Sequence, residues 1–152
     1  MTEASPRRNT LREDQVLAIL DRARAARDGA YCPYSGFAVG AAVLTADGLI
    51  FTGCNVENAA YSETICAERV AIWKAVSEGR REIIGLAVVA AGQEPPRPCG
   101  ACLQVIAELA PGVTICMGTL AGSRSLAGLA ELLPQPFRLP PADNHPTGGR
   151  RP

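Results

Sequence analysis

This chain has no surplus charge of either sign: 15 Lys and Arg stand against 15 Asp and Glu. No electrostatic excess is available to capture nucleic acid or an anionic membrane. Long apolar runs are missing too, since no window approaches the ~18 consecutive apolar residues of a membrane span. Residues 1–10 are polar and carry no apolar h-region, so no secretory signal is expected there. The expected class is a soluble, cytoplasmic protein with no nucleic-acid and no membrane partner. Histidine is reduced to His145, in a Pro/Gly/Arg-rich stretch that reads as a disordered tail, and we read it as a bystander. Lysine is reduced to Lys74 beside fourteen arginines, a bias assigned to the genome before any function.

What is present fits one domain. A length of 152 residues with 47% hydrophobic and 20% charged residues is enough for an ordinary buried core. The divisions expected are a disordered leader over 1–9, a folded unit over 10–137 and a disordered tail over 138–152. Thr10 with Glu13 three residues on forms a capping-box pattern. Leu11, Val16, Leu17 and Leu20 then repeat at helical spacing, and Gly29 closes the helix. The short apolar run over 37–45 reads as a strand, and Asp47-Gly48 as a two-residue hairpin returning over 49–54. Helices are expected over 66–78 and 99–110, and buried strands over 83–91 and 113–117. The stretch 126–133 reads as a short helix or a strand–helix junction. The resulting β-β-α-β-α-β order implies a three-layer α/β domain with a mixed sheet.

Six cysteines could pair as disulfides, but that framework belongs to short secreted domains. Cys99 and Cys102, in Pro98-Cys99-Gly100-Ala101-Cys102, lie one turn apart at a helix start, so both sulfurs face one side. Such a pair alone is more often a structural zinc knuckle or a redox pair than a catalytic site. Cys66, in Thr64-Ile65-Cys66-Ala67-Glu68-Arg69, begins another helix and supplies a third thiol. Three protein ligands leave a zinc tetrahedron open, the arrangement of a catalytic site. Cys32, Cys54 and Cys116 could supply a fourth sulfur, although Cys54 and Cys116 lie in apolar strands and read as core residues. Helix N-termini favour thiolate over thiol. Zn²⁺ with three thiolates is net negative, and Arg69, one turn from Cys66, is placed to offset that charge. Glu68 is two residues from Cys66, where a proton carrier that does not ligate the metal belongs.

Cys66-Ala67-Glu68 with Pro98-Cys99-Gly100-Ala101-Cys102 matches the cysteine form of the zinc-deaminase signature, in which the glutamate is general acid and base. The chain further resembles the small homotetrameric cytidine deaminases. Pro33-Tyr34-Ser35-Gly36-Phe37-Ala38-Val39-Gly40-Ala41-Ala42 is similar to their opening motif. Gly53-Cys54-Asn55-Val56-Glu57-Asn58-Ala59 is similar to their ribose-binding loop, and Leu132-Leu133-Pro134-Gln135-Pro136-Phe137 to their closing motif. The likeness runs over 31–137 in the expected order.

The resemblance implies one Zn²⁺ per chain on Cys66, Cys99 and Cys102, with Glu68 catalytic and Arg69 balancing charge. It implies that Phe37 stacks on the pyrimidine and that Asn55 and Glu57 bind the ribose 3′-hydroxyl. Ala67 is carried over as a substrate contact, and Ala59, Tyr61 and Phe137 as residues serving a neighbouring subunit's pocket in a homotetramer. The implied fold is an α/β/α sandwich on a five-stranded mixed sheet; pattern alone yields four strands, and the fifth, near 123–126, comes from the likeness. The implied reaction is hydrolytic deamination of cytidine and deoxycytidine, as in pyrimidine salvage. From the residues alone, Phe37 reads more readily as a core residue starting its strand, and Asn55 and Glu57 could be ordinary loop polars. A deaminase of modified aminonucleosides, akin to the blasticidin deaminases, and a non-catalytic zinc module remain competing readings. Ser62-Glu63 stands where the family typically has glycine, and Leu103 where it usually has arginine. The second change leaves more of the charge balance to Arg69.

Overall fold

The structure, a computed structural model, describes residues 10–139. The expected leader and all but the first two residues of the expected tail lie outside the described residues. Helix α1 spans Glu13–Ala26, β1 Val39–Thr45, β2 Ile50–Cys54, α2 Ala67–Ser77, β3 Ile83–Ala90, α3 Gly100–Leu109, β4 Thr114–Thr119, β5 Arg124–Gly128 and α4 Leu129–Leu132. The strands form one sheet in the order β2-β1-β3-β4-β5. Only β3 and β4 pair in parallel; the other neighbours are antiparallel. The fold is therefore the expected mixed five-stranded α/β sandwich, and the fifth strand is present.

Alternation along the strands explains the three layers. Ala41, Val43, Leu86, Val88, Ile115 and Met117 point to one face, where Ala71 and Ile72 of α2 and Ile106 of α3 complete a core. The intervening Ala42, Leu44, Ala87, Val89 and Cys116 point to the other face and pack on Val16, Ile19 and Ala23 of α1. A period of two along a strand with helices on both sides has only this solution.

Three local expectations are corrected. The first helix is capped at Arg12, whose N–H donates to Gln15 Oε1 at 3.0 Å, and not by a Thr10–Glu13 box. Glu13 and Asp14 instead occupy the first turn, where acidic side chains meet the positive end of the helix dipole. The hairpin loop has three residues, since Thr45 N–H bonds the Leu49 carbonyl at 3.0 Å and Gly48 N–H bonds the Thr45 carbonyl at 2.9 Å. Gly48 takes a φ of 87°, the left-handed position that follows a type I turn in such loops. Finally, β1 begins at Val39, so Phe37 precedes the ladder and is 48% exposed, which removes the core reading of that ring.

Strand direction sets the position of the site. Both β2 and β3 pair antiparallel with β1, so they run the same way and leave the sheet at the same end. Helices α2 and α3 follow them and begin at that end, with Cys66 and Cys99 as their N-cap residues. Close approach needs small residues on both faces. A Cβ on Gly53 would lie 2.6 Å from the Ala67 carbonyl oxygen in the first turn of α2, and one on Gly40 only 1.9 Å from the Ala23 carbonyl oxygen in α1. Gly40→Ala is expected to destabilise the chain by at least about 2 kcal/mol through overpacking against rigid backbone. Urea unfolding of the variant beside the parent would measure the loss.

Candidate active site

Each N-cap residue contributes a sulfur, and Cys102, one turn into α3, contributes the third. The Sγ atoms of Cys66, Cys99 and Cys102 all lie within 4.8 Å of one another, and Cys66 Sγ is 3.8 Å from Cys99 Sγ. Tetrahedral sulfur ligands at the usual Zn–S distance of about 2.3 Å would be separated by about 3.8 Å. Cys102 is buried, Cys66 half-buried and Cys99 exposed, so the cluster opens on one side only.

The chemistry of the sulfurs also fits a divalent cation. A hydrogen bond from the Cys102 thiol is the main reason the Cys66 thiol is held down at about 5, with Arg69 and Cys99 contributing further hydrogen bonds. The same bond, with burial and the neighbouring Glu68 carboxylate, pushes Cys102 up. Cys66 and Cys102 therefore move in opposite directions, and a cation among the three sulfurs is what would allow all of them to be thiolates. Arg69 Nη2 lies 3.6 Å from Cys66 Sγ and 3.5 Å from the Thr64 carbonyl oxygen. Its Nε is buried with no hydrogen-bond partner among the described residues. That unpartnered cationic donor matches a site with an excess of negative ligand charge.

Glu68 is 4% exposed. Burial is the first cause of a pKa raised to about 7, and the nearby Cys66 thiolate adds to it. A carboxyl at that value exchanges a proton readily near neutral pH. Ala67, between this carboxyl and Cys66, is completely buried.

The loops around this end of the sheet are ordered by polar side chains. Asn55 Oδ1 accepts the Val39 N–H and Nδ2 donates to the Phe37 carbonyl, each at 2.8 Å. Glu57 Oε2 accepts the N–H groups of Tyr34 and Ser35 at 2.8 and 3.2 Å, and Oε1 accepts the Ser35 hydroxyl. The Ser35 hydroxyl first, then the two amides, keeps the Glu57 carboxyl below its ordinary range. Three of about four lone-pair directions on Glu57 are then in use, and Asn55 retains one amide N–H. One acceptor and one donor remain, a pattern that suits a hydroxyl.

The other expected contacts sit further out. Ala59 and Tyr61 are exposed, Tyr61 at 75%, and its ring lies 6.2 Å from that of Tyr34 in a tilted arrangement. Phe137 is 69% exposed, yet its backbone is gripped at both ends by the Gln104 amide, which donates to the Phe137 carbonyl at 2.8 Å and accepts its N–H at 3.1 Å. Leu103 is 7% exposed and belongs to the core, so hydrophobic packing occupies it. Cys116 is a core residue as expected, whereas Cys54 is only half-buried. Ser35 and Gln104 had no role in the sequence reading; their spacing of two from Phe37 and from Cys102 was the available signal.

A family model described as "Cytidine and deoxycytidylate deaminase zinc-binding region" matches residues 13–117. The cytidine deaminase of Halalkalibacterium halodurans is 51% identical over 120 residues, covering 78% of this chain and 91% of that protein. That of Sporosarcina psychrophila is 50% identical over 123 residues, covering 80% and 90%. The crystal structure of cytidine deaminase from Burkholderia pseudomallei superposes with a TM-score of 0.78 at 44% identity, over 80% of this chain and 98% of that one. Replacing a buried ligand should empty the metal position: Cys102→Ala is expected to lower bound zinc from about one per chain to a trace, as read by metal analysis of the purified protein.

Proposed function

This chain belongs to the cytidine deaminase family, and from that premise we propose that it converts cytidine and deoxycytidine to uridine and deoxyuridine, releasing ammonia. The observation that carries the reading is the pairing of three sulfurs within 4.8 Å with a buried carboxyl at about 7. Cys66, Cys99 and Cys102 would hold one zinc, which when bound would supply a Lewis acid to make a water reactive near neutral pH. Arg69 offsets the charge of the thiolates and orients Cys66.

Glu68 moves the protons. It accepts one proton from the attacking water and delivers it to N3 of the pyrimidine. It then takes the remaining proton of the hydroxyl added at C4 and passes it to the amino group, which leaves as ammonia as the C4 carbonyl forms. Water is consumed and ammonia released, so atoms and charge balance. Burial serves this exchange, because a carboxyl near 7 is as ready to donate as to accept. Phe37 offers its exposed ring to the pyrimidine, with Ala67 beside it, while Asn55 donates to and Glu57 accepts from one sugar hydroxyl. A phosphate, which has only acceptors to offer, would leave Glu57 facing negative charge. That favours a free nucleoside over a polynucleotide, as does the zero net charge.

The catalytic unit is residues 10–137, and it works as a homotetramer in the cytoplasm, in pyrimidine salvage. The exposed rings of Phe37, Tyr61 and Phe137 support assembly, since a single chain leaves aromatic side chains meant for a nucleoside pocket in water. Ala59, Tyr61 and Phe137 complete the pocket of a neighbouring copy. Glu68→Gln keeps the shape but can neither take nor give the proton. The variant is expected to retain zinc while kcat falls by about three orders of magnitude. An absorbance assay of cytidine conversion, run beside metal analysis, would show both.

A further inference from the structure

Ser35 lies between two residues of the proposed substrate pocket and bonds to both. Its Oγ donates to Glu57 Oε1 and accepts the N–H of Phe37 at 3.0 Å, while its own N–H donates to Glu57 Oε2 at 3.2 Å. Phe37 precedes β1 and has no ladder partner, and its ring is 48% exposed, so packing does little to fix it. Side chains hold both of its backbone polar groups instead: Ser35 takes the N–H and Asn55 the carbonyl. Gly36 stands between Ser35 and Phe37 at a φ of 65°, where the backbone has unusual freedom. The bond from the Phe37 N–H to the Ser35 hydroxyl spans it.

Glu57 is held from the same direction. Glu57 is 9% exposed, and its carboxylate forms no ion pair among the described residues. Its ionised form relies on the donors of residues 34 and 35. The Ser35 hydroxyl can donate to the carboxylate while accepting from an amide. We propose that Ser35 is a positioning residue for substrate recognition, its hydroxyl locking the carboxylate of Glu57 and the backbone of Phe37 into one unit, so that sugar and base contacts are set together. The inference rests on the roles given above to Phe37 and Glu57.

Steady-state kinetics on cytidine and 3′-deoxycytidine test it, using Ser35→Ala and Ser35→Thr with zinc content followed in parallel. Ser35 is exposed, so the threonine methyl has room and the hydroxyl is kept. Ser35→Ala is expected to raise KM for cytidine about tenfold, the size of one hydrogen bond to a charged group. In the same variant kcat changes less than KM and zinc per chain is unchanged. The KM penalty shrinks on 3′-deoxycytidine, which has no hydroxyl for Glu57 to read, and Ser35→Thr recovers most of the loss. If the parent discriminates between the substrates while Ser35→Ala weakens both equally, leaves KM unaltered or is not rescued by threonine, the Ser35 role is overturned. A parent enzyme indifferent to the 3′-hydroxyl would instead remove the proposed reading of Glu57, and this inference with it.

Discussion

Three sulfurs within 4.8 Å, supplied by the first turns of two helices, are the constraint on which the rest of the structure depends. Thiols so close repel as thiolates, and the helix N-termini and Arg69 offset that charge, as a bound cation would. Each sulfur must also be placed to a fraction of an ångström. The sheet achieves this by sending β2 and β3 in the same direction on either side of β1, so that α2 and α3 start side by side. Gly53 lets the first turn of α2 sit against the sheet. Glu68 reaches its buried place as a by-product of the same helix start, and its raised pKa follows from that burial.

A second theme is the way exposed aromatic side chains are held. Phe37 and Phe137 each have about half or more of their surface free, so packing supplies little of the energy that would fix them. A carboxamide does it in each case. Asn55 bonds the Phe37 carbonyl and the Val39 N–H, and Gln104 bonds both backbone groups of Phe137. An amide offers a donor and an acceptor in one plane, so it can stand in for a neighbouring strand. The backbone at both positions is therefore held without help from packing of the ring.

Helix and strand periods made the main elements legible, because alternation and the i, i+3, i+4 spacing follow from local geometry. The strand Ile83–Ala90 and the helix starts at Cys66 and Cys99 were of this kind. Less visible were features decided by competition between neighbours. Arg12 with Gln15 displaced the Thr10–Glu13 cap, and a left-handed Gly48 turned a two-residue loop into one of three. Strand β5 escaped pattern because it lies at the sheet edge and leaves Arg124, Ser125 and Leu126 exposed, so no apolar run marks it.

By itself the sequence determined the kinds of group in the site and their local spacing: two thiols one turn apart, a third beside a carboxyl and a guanidinium. Those follow from helix geometry, which acts over a few residues. That Cys66 meets Cys99 and Cys102 was decided only in the tertiary structure, since it depends on the relative direction of two strands separated by a third. So was the value near 7 at Glu68, which burial produces and composition cannot. The bonds from Asn55, Glu57 and Ser35 that hold the Phe37 loop belong to the same category. Hydrogen bonds are directional and short, and their partners are chosen by the three-dimensional path of the backbone.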